Sequence, residues 1–452
     1  MERHTLIFRA GLDNAPNISA DVGMTVTQVP ILDEEGKLLY NISQTIDENQ
    51  EQRFRVTENG ADLLLVASAV YAADKRISRQ TASQDGWSRE IDIYLPVNRP
   101  DVWSPLRPML ENMLGFLTGD LWRFSFRTLT QPLVELAESH AELKEPTPSQ
   151  LCLFSGGLDS YVGAIDLLQG AHNPVLISHS WGKTDAHHQT FCLDALKEHY
   201  GNNRIFQMRS RIGFGEKDLH ITTDGEETER SRSFLFFSVA GAVASGLTQH
   251  APTVVPENGL ISLNIPLDPL RLGSYSTRTT HPYFIARFNE LLTDLGIRTH
   301  LVNPYRFRTK GEMVRECQNP ALLGATATNT MSCSSPTKGR WQKEKSGVHC
   351  GHCVPCLIRR AALAPSDSTE YNSGPLTGKT FSSIKAEGEH IRAFELAISR
   401  LNKKPEMSSI LVQRSGPLSD HPGDLMKFAD MYRRGMAEVE QLLQGVRTSP
   451  YV

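Results

Sequence analysis

Residues 151–154 (Leu-Cys-Leu-Phe) form a short apolar run that leads straight into Ser155-Gly156-Gly157-Leu158-Asp159-Ser160, with a helical pattern from 160 to 168. Few folds begin this way. Strands buried on both faces read as unbroken apolar runs, and that is the habit of parallel sheets. The pattern then repeats. Strands are predicted at 175–179, 205–208, 253–255 and 298–302, and helices at 190–200, 230–247 and 283–295. Strands separated by helices specify an α/β fold, a parallel sheet covered on both faces. Ligands of such sheets bind at the carboxyl ends of the strands.

The loop itself has a chemistry. Its two glycines allow torsions closed to other residues and let the main chain approach a ligand. It opens a helix, whose free N–H groups and dipole attract an anion. Ser155 and Ser160 add hydroxyl donors. Asp159 would repel a bare phosphate, so its presence points to a phosphate bound through Mg2+. The plainer alternative is a Gly-Gly turn capped by serines. The position after the first strand of an α/β pattern favours a binding loop, and the expected nucleotide-binding set is Leu153, Phe154, Ser155, Gly156, Gly157, Leu158, Asp159 and Ser160. A rival phosphate loop, Gly374-Pro375-Leu376-Thr377-Gly378-Lys379-Thr380, is one residue short of Walker A spacing.

The six-residue motif resembles the pyrophosphate-binding loop of the PP-loop ATPases, the nucleotide α-hydrolase class. The resemblance implies a Rossmann-like core that cleaves ATP between its α and β phosphates and adenylates a carbonyl or carboxylate oxygen.

Seven cysteines are present, an odd number, and Cys333, Cys350, Cys353 and Cys356 follow the pattern C-x16-C-x2-C-x2-C. Four thiolates suit a tetrahedral structural zinc, the expected metal set. An iron–sulfur cluster uses similar runs, and unliganded thiols are the third reading. His349 and His352 could replace a cysteine, but read as neighbours of the site. Cys152 reads as a core residue, and Cys192 and Cys317 as helix residues. This usage fits a reduced, cytoplasmic setting better than a disulfide framework.

Together, SGGxDS, the Thr309-Lys310-Gly311-Glu312-Met313-Val314 stretch and the CGxCxxCxxR cluster ending at Arg359 resemble QueC, the 7-cyano-7-deazaguanine synthase family, over about residues 150–363. That family adenylates a 7-deazaguanine 7-carboxylate, attacks it with ammonia and dehydrates the amide with a second ATP. The resemblance implies ATP, Mg2+ and Zn2+ as cofactors and a C–N ligase activity on a 7-deazaguanine-type small molecule. Three departures stand out. The family's SGYPDC-type substrate loop is missing, with residues 264–282 in its place. The cysteine spacing is longer. Residues before 150 and after 365 are additional. In these respects the chain looks more like the QueC-like subunits of bacterial antiphage systems, the QatC group in particular. That implies a partner protein from the same defence operon, whose amine could receive the base.

Residues 1–146 read as an N-terminal α+β accessory domain, with strands at 4–9, 91–95 and 122–126 and helices at 61–70 and 106–117. A polar, proline-containing linker follows at 144–150. The PP-loop unit spans 150–365, and 366–452 reads as a helical C-terminal region with helices at 391–401 and 425–443.

The expected catalytic residues are Asp159, Lys310, which would stabilise departing pyrophosphate, and Arg278, a clamp for phosphate or carboxylate. Glu257 and Asn258 should face the ligand at the end of the fourth strand. Asp268 and Arg271 are candidates for recognising the base, and Thr279 or Thr280 for capping the helix that follows. Lys338, Arg340, Lys343 and Lys345 read as a solvated loop.

The net charge of −4 provides no global basic field, so direct nucleic-acid binding is not expected. It also weighs against a tRNA sulfur transferase, the first rival, which would need a reactive cysteine beside ATP. The second rival is a nucleotide-sensing subunit without catalysis. The most apolar stretch, 233–247, is shorter than the roughly 20 residues of a membrane span, and no membrane partner is expected.

Overall fold

The structure, a computed structural model, describes residues 2–11, 16–51, 54–83, 86–130, 133, 148–180, 183–217, 219–222, 225–226, 228–267, 278–334 and 345–451. Three parts follow one another along the chain. The first holds β1 (Arg3–Arg9), β2 (Met24–Pro30), α1 (Ile42–Glu51), α2 (Glu58–Arg76), α3 (Arg79–Ala82), β3 (Glu90–Val97), α4 (Pro100–Thr118) and β4 (Leu121–Thr128). The second holds β5 (Gln150–Leu153), α5 (Leu158–Gln169), β6 (Pro174–His179), α6 (Lys183–Tyr200), β7 (Phe206–Ser210), α7 (Arg232–Ser245), β8 (Thr253–Val254), α8 (Gly259–Leu263), α9 (Pro282–Asp294), β9 (Leu301–Val302), α10 (Lys310–Glu316), α11 (Pro320–Thr326) and α12 (Val354–Leu363). The last holds β10 (Thr380–Ser382), α13 (Ala386–Lys403), α14 (Ser408–Leu411), α15 (Leu425–Leu442) and β11 (Arg447–Ser449).

Among the described residues every pair of named strands is parallel, and one isolated bridge, Leu32 to Leu38, is antiparallel. The N-terminal sheet runs β2-β1-β3-β4 and the central sheet β7-β6-β5-β8-β9. The N-terminal region is therefore α/β in character, not the α+β expected from sequence. Helices carry the chain from β2 to β3 and from β3 to β4, and a helical crossover returns the chain in the same direction. Nor is the C-terminal region wholly helical, because β10 and β11 pair in parallel.

One apolar core serves both large sheets. It joins Leu6, Phe8, Ile91 and Ile93 of the first sheet to Leu151, Leu153, Val175 and Ile177 of the second. Two helices apolar on nearly every face, α2 and α7, pack on each other between them. Such helices have no solvent face and need cover all round. Small residues set their approach: a Cβ on Gly241 would lie 2.7 Å from Leu63 Cδ2, and one on Gly60 2.2 Å from Ser245 Oγ. Nearby, Arg79 and Arg89 are buried against Asp74 and Asp120. Asp74 also accepts the Ser231 amide at the start of α7 (2.7 Å).

A second core packs α13 and α15 against Leu260 and Leu263 of α8 and Leu357 and Ile358 of α12. Among the described residues no helix is long and apolar enough to cross a membrane.

Candidate active site

From β5 the chain moves outward through β6 and β7, then returns to place β8 and β9 on the other side of β5. This reversal opens a crevice between the carboxyl ends of β5 and β8, where doubly wound sheets bind ligands. Residues 155–157 leave β5 on one side of it, and Pro256-Glu257-Asn258 leaves β8 on the other.

The loop is held on all sides. Gly156 has φ +79°, and a Cβ there would lie 3.0 Å from the Gln189 amide nitrogen, so both torsion and space demand glycine. Ser160 Oγ donates to the Gly157 carbonyl (2.9 Å) and lies 3.2 Å from Ser155 Oγ. Gln189 Nε2 donates to the Ser155 carbonyl (3.4 Å), and the Met331 amide to the Gly156 carbonyl (2.9 Å). Helix α5 starts at Leu158, earlier than expected, with Gly157 as an N-cap that supplies no side-chain cap. Its first-turn amides therefore face an anion-sized need. The Leu158 amide reaches Ser332 Oγ at 3.4 Å, a contact long enough to give way to a ligand.

Asp159 is buried at the crevice and links its two walls. Lys310 Nζ lies 2.6 Å from its Oδ1, while Asn258 donates to its Oδ2 through Nδ2 (2.7 Å) and the backbone amide (3.1 Å). Burial works against the Asp159 charge, but the Lys310 ammonium and hydrogen bonds from Glu257, Lys310 and Asn258 outweigh it and hold the carboxyl below its ordinary range. Glu257, half-buried beside it, goes the other way: burial first, then the charge of Asp159, pushes it well above its ordinary value. Lys310 itself opens α10 behind a capping box, with Thr309 Oγ1 accepting the Glu312 amide (3.0 Å) and Glu312 accepting the Thr309 amide (2.9 Å).

Arg278 does not join this cluster by any hydrogen bond among the described residues. It donates to the Phe116 carbonyl at the end of α4 (2.7 Å), with its guanidinium 4.5 Å from the centre of that ring. Its Nε is buried with no hydrogen-bond partner among the described residues. The cap of α9 is His281, whose Nδ1 accepts the Tyr283 amide (3.2 Å), rather than Thr279 or Thr280. Asp268, Arg271, Lys338, Arg340 and Lys343 lie outside the described residues; Lys345 pairs with Glu370 at the surface.

The sulfurs of Cys333, Cys350, Cys353 and Cys356 all lie within 4.8 Å of one another. Cys333–Cys353 and Cys350–Cys356 are each 3.9 Å apart. Zn–S bonds of about 2.3 Å in a tetrahedron place sulfurs about 3.8 Å apart, so the donor set and its size fit zinc. His349 stays outside the set. Its Nε2 bonds the Thr330 carbonyl (3.0 Å) and its Nδ1 lies 3.7 Å from Cys356 Sγ.

The cluster and the loop are physically joined. Fully buried Arg359 on α12 donates to Thr330 Oγ1 (2.7 Å), the Ala327 carbonyl (2.6 Å) and Ser332 Oγ (3.4 Å). It thereby fixes residues 327–332, which lead into Cys333 and touch Gly156 and Leu158. Gln189, Met331 and Ser332 as holders of the loop have no sequence signal, and Arg359, the last position of the cysteine motif, gave no sign that it reaches residues 327–332.

No family model matches the chain. It is similar to 7-cyano-7-deazaguanine synthase 1 of Sphingopyxis alaskensis, 28% identical over 169 residues, covering 34% of this chain and 65% of that protein. It is also similar to 7-cyano-7-deazaguanine synthase of Methanothrix thermoacetophila, 25% identical over 246 residues, covering 49% of this chain and 97% of that protein. The chain therefore spans slightly less than two thirds of the length of the first. Both similarities support a QueC-like kinship. A multidomain nonribosomal peptide synthetase structure with adenylation and ketoreductase units gives a TM-score of 0.24 at 8% identity, covering 89% of this chain and 42% of that one, too slight to bear on the fold.

Proposed function

We propose that this chain adenylates the 7-carboxylate of a 7-deazaguanine-type base, releasing pyrophosphate, and passes the acyl group to an amine. The observation that carries the reading is the meeting of Asp159, Glu257, Asn258 and Lys310 at the mouth of a glycine loop, across the point where strand order reverses. The loop amides and the Ser155 and Ser160 hydroxyls bind the β and γ phosphates. The paired carboxylates of Asp159 and Glu257 are hard oxygen donors that fit Mg2+, and a cation bound there would neutralise phosphate charge. Lys310 offers its ammonium to pyrophosphate as the substrate carboxylate attacks the α phosphorus. The amine then attacks the acyl carbon and AMP leaves.

The sulfur-transfer alternative needs a thiolate near ATP. Burial instead pushes the Cys192 thiol up to about 12 and the Cys317 thiol to about 11, and Cys152 upward as well.

The finer reading places the chain with the QueC-like subunits of antiphage systems and takes the amine from a companion protein of the same operon. Its support is the added sequence on both sides of the core. The test is to incubate the chain with ATP, Mg2+ and 7-carboxy-7-deazaguanine. AMP and pyrophosphate are expected, and Asp159→Asn should lower their release roughly 100-fold or more with the fold intact. ADP as product would overturn the adenylation reading. Intact-mass analysis of companion proteins expressed with the wild type and with Asp159→Asn decides the acceptor. If none gains an Asp159-dependent mass of one base, ammonia is the amine.

A further inference from the structure

Lys310 is flanked by two groups held from the far end of the chain. Thr309 Oγ1 donates to Glu438 Oε1 (2.7 Å) and the Gly311 amide to Glu438 Oε2 (3.2 Å). One turn earlier on α15, Arg434 donates through Nε to Glu312 Oε1 (2.7 Å) and through Nη2 to the Phe307 carbonyl (2.9 Å). A Cβ on Gly311 would lie 2.3 Å from Glu438 Oε1, so only glycine lets the carboxylate close on that amide.

The same helix also fixes the second partner of Asp159. Met431 and Gly435 press on α8: a Cβ on Gly259 would lie 2.6 Å from Met431 Sδ, and one on Gly435 2.5 Å from Leu260 Cδ1. Asn258 caps α8, its Oδ1 accepting the Ile261 amide (3.2 Å). Both walls that converge on Asp159 therefore rest on α15.

The capping box already satisfies the start of α10. Glu438 is a second carboxylate on the same turn, beyond what helix capping needs. Its two acceptors grip the residues on either side of Lys310, the pair that sets where the Lys310 side chain leaves the backbone. We propose that Glu438, supported by Arg434, is a positioning residue for the nucleotide site: it holds the first turn of α10 so that the Lys310 ammonium meets Asp159 and the phosphates beyond the α position. The inference rests on the nucleotide reading above and makes the C-terminal region part of the site.

Lys310 acts on the pyrophosphate end of ATP, so its displacement should weaken ATP and leave AMP nearly unaffected. General loosening of the fold would weaken both. The test uses the full chain and calorimetric titration of MgATP and of AMP into wild type, Glu438→Ala, Glu438→Gln and Lys310→Ala, with melting temperatures alongside. Loss of a charge-assisted anchor should lower MgATP affinity about tenfold in Glu438→Ala, with AMP changed less than about twofold. Lys310→Ala should show the same selectivity. Glu438→Gln, which keeps an acceptor for the Gly311 amide, should fall between wild type and Glu438→Ala, and it decides on the same ATP-to-AMP ratio if the alanine variant does not fold. Unchanged MgATP affinity, or equal loss of ATP and AMP, in a folded variant overturns the positioning role while leaving the nucleotide reading intact. Failure of the wild type to bind MgATP would overturn that reading and this inference with it.

Discussion

Buried histidines make the chain sensitive to acid. Burial lowers His281 to about 3 and His179 to about 4, the charge of Arg278 adding to the first effect and that of Arg232 to the second. Above pH about 6.5 both are neutral in the folded and unfolded chain alike. As the pH falls below that value the unfolded chain takes up protons that the fold refuses, so stability drops down to the folded values, by up to about 1.4 kcal/mol per pH unit for each histidine. Asp62, raised by burial to about 6, acts with the opposite sign: its contribution is present in acid and lost as the pH rises through 6. Glu257, also raised, acts with Asp62, and buried His349, lowered to about 4, acts with the other two histidines. The three histidines outnumber the two carboxyls, so urea unfolding should show lower stability at pH 5 than at pH 7.5. His281→Gln should flatten the slope; an unchanged slope would clear His281 of the effect.

At the scale of elements, α12 connects the cysteine cluster to the phosphate loop. Arg359 leaves this helix to fix residues 327–332, and those residues contact Gly156 and Leu158. Disturbing the cluster should therefore be felt by the nucleotide. Cys353→Ser, or removal of the metal by a chelator, should lower the melting temperature and weaken MgATP binding together, because metal binding energy is folding energy in such sites. Arg359→Lys keeps the charge but loses the planar fork and should cost about 2–4 kcal/mol of stability by urea titration. If MgATP affinity survives chelation of a demonstrably metal-free protein, the link is not functional.

What could be read ahead of the structure follows the same divide between local and distant. The loop at 155–160 and the four cysteines were legible because their chemistry needs fixed residue types at short spacing. The apolar runs of α2, α5 and α7 were legible from burial alone. Strand direction in the N-terminal sheet was not, since periodicity carries no sign of parallel pairing. Helix α8 is too short to show a period. Nor could spacing reveal that Asp159 meets Lys310, or that Arg278 donates through Nη1 to the Phe116 carbonyl, because both contacts are set by packing.

For the whole molecule, the shared core matters most. The sheet of β1–β4 and the sheet of β5–β9 bury their apolar faces in one continuous cluster through α2 and α7. A chain restricted to residues 150–452 would expose the α7 face that contacts α2 and should aggregate on expression. A soluble, cooperatively melting fragment would show that the central sheet stands alone. Substituting Gly241 by leucine should be nearly as damaging within the full chain. Overpacking costs typically 1–3 kcal/mol, and here the added atoms meet Leu63 at the helix crossing. The crossing also has a consequence during synthesis. Helix α2 is complete at Arg76, but its cover, α7, begins only at Arg232. At roughly 5–20 residues per second, the ribosome leaves that apolar helix without its partner for roughly 10–30 s. The yield of the chain in a cell should therefore depend on the supply of chaperones that hold exposed apolar surface more than the stability of the finished fold would suggest.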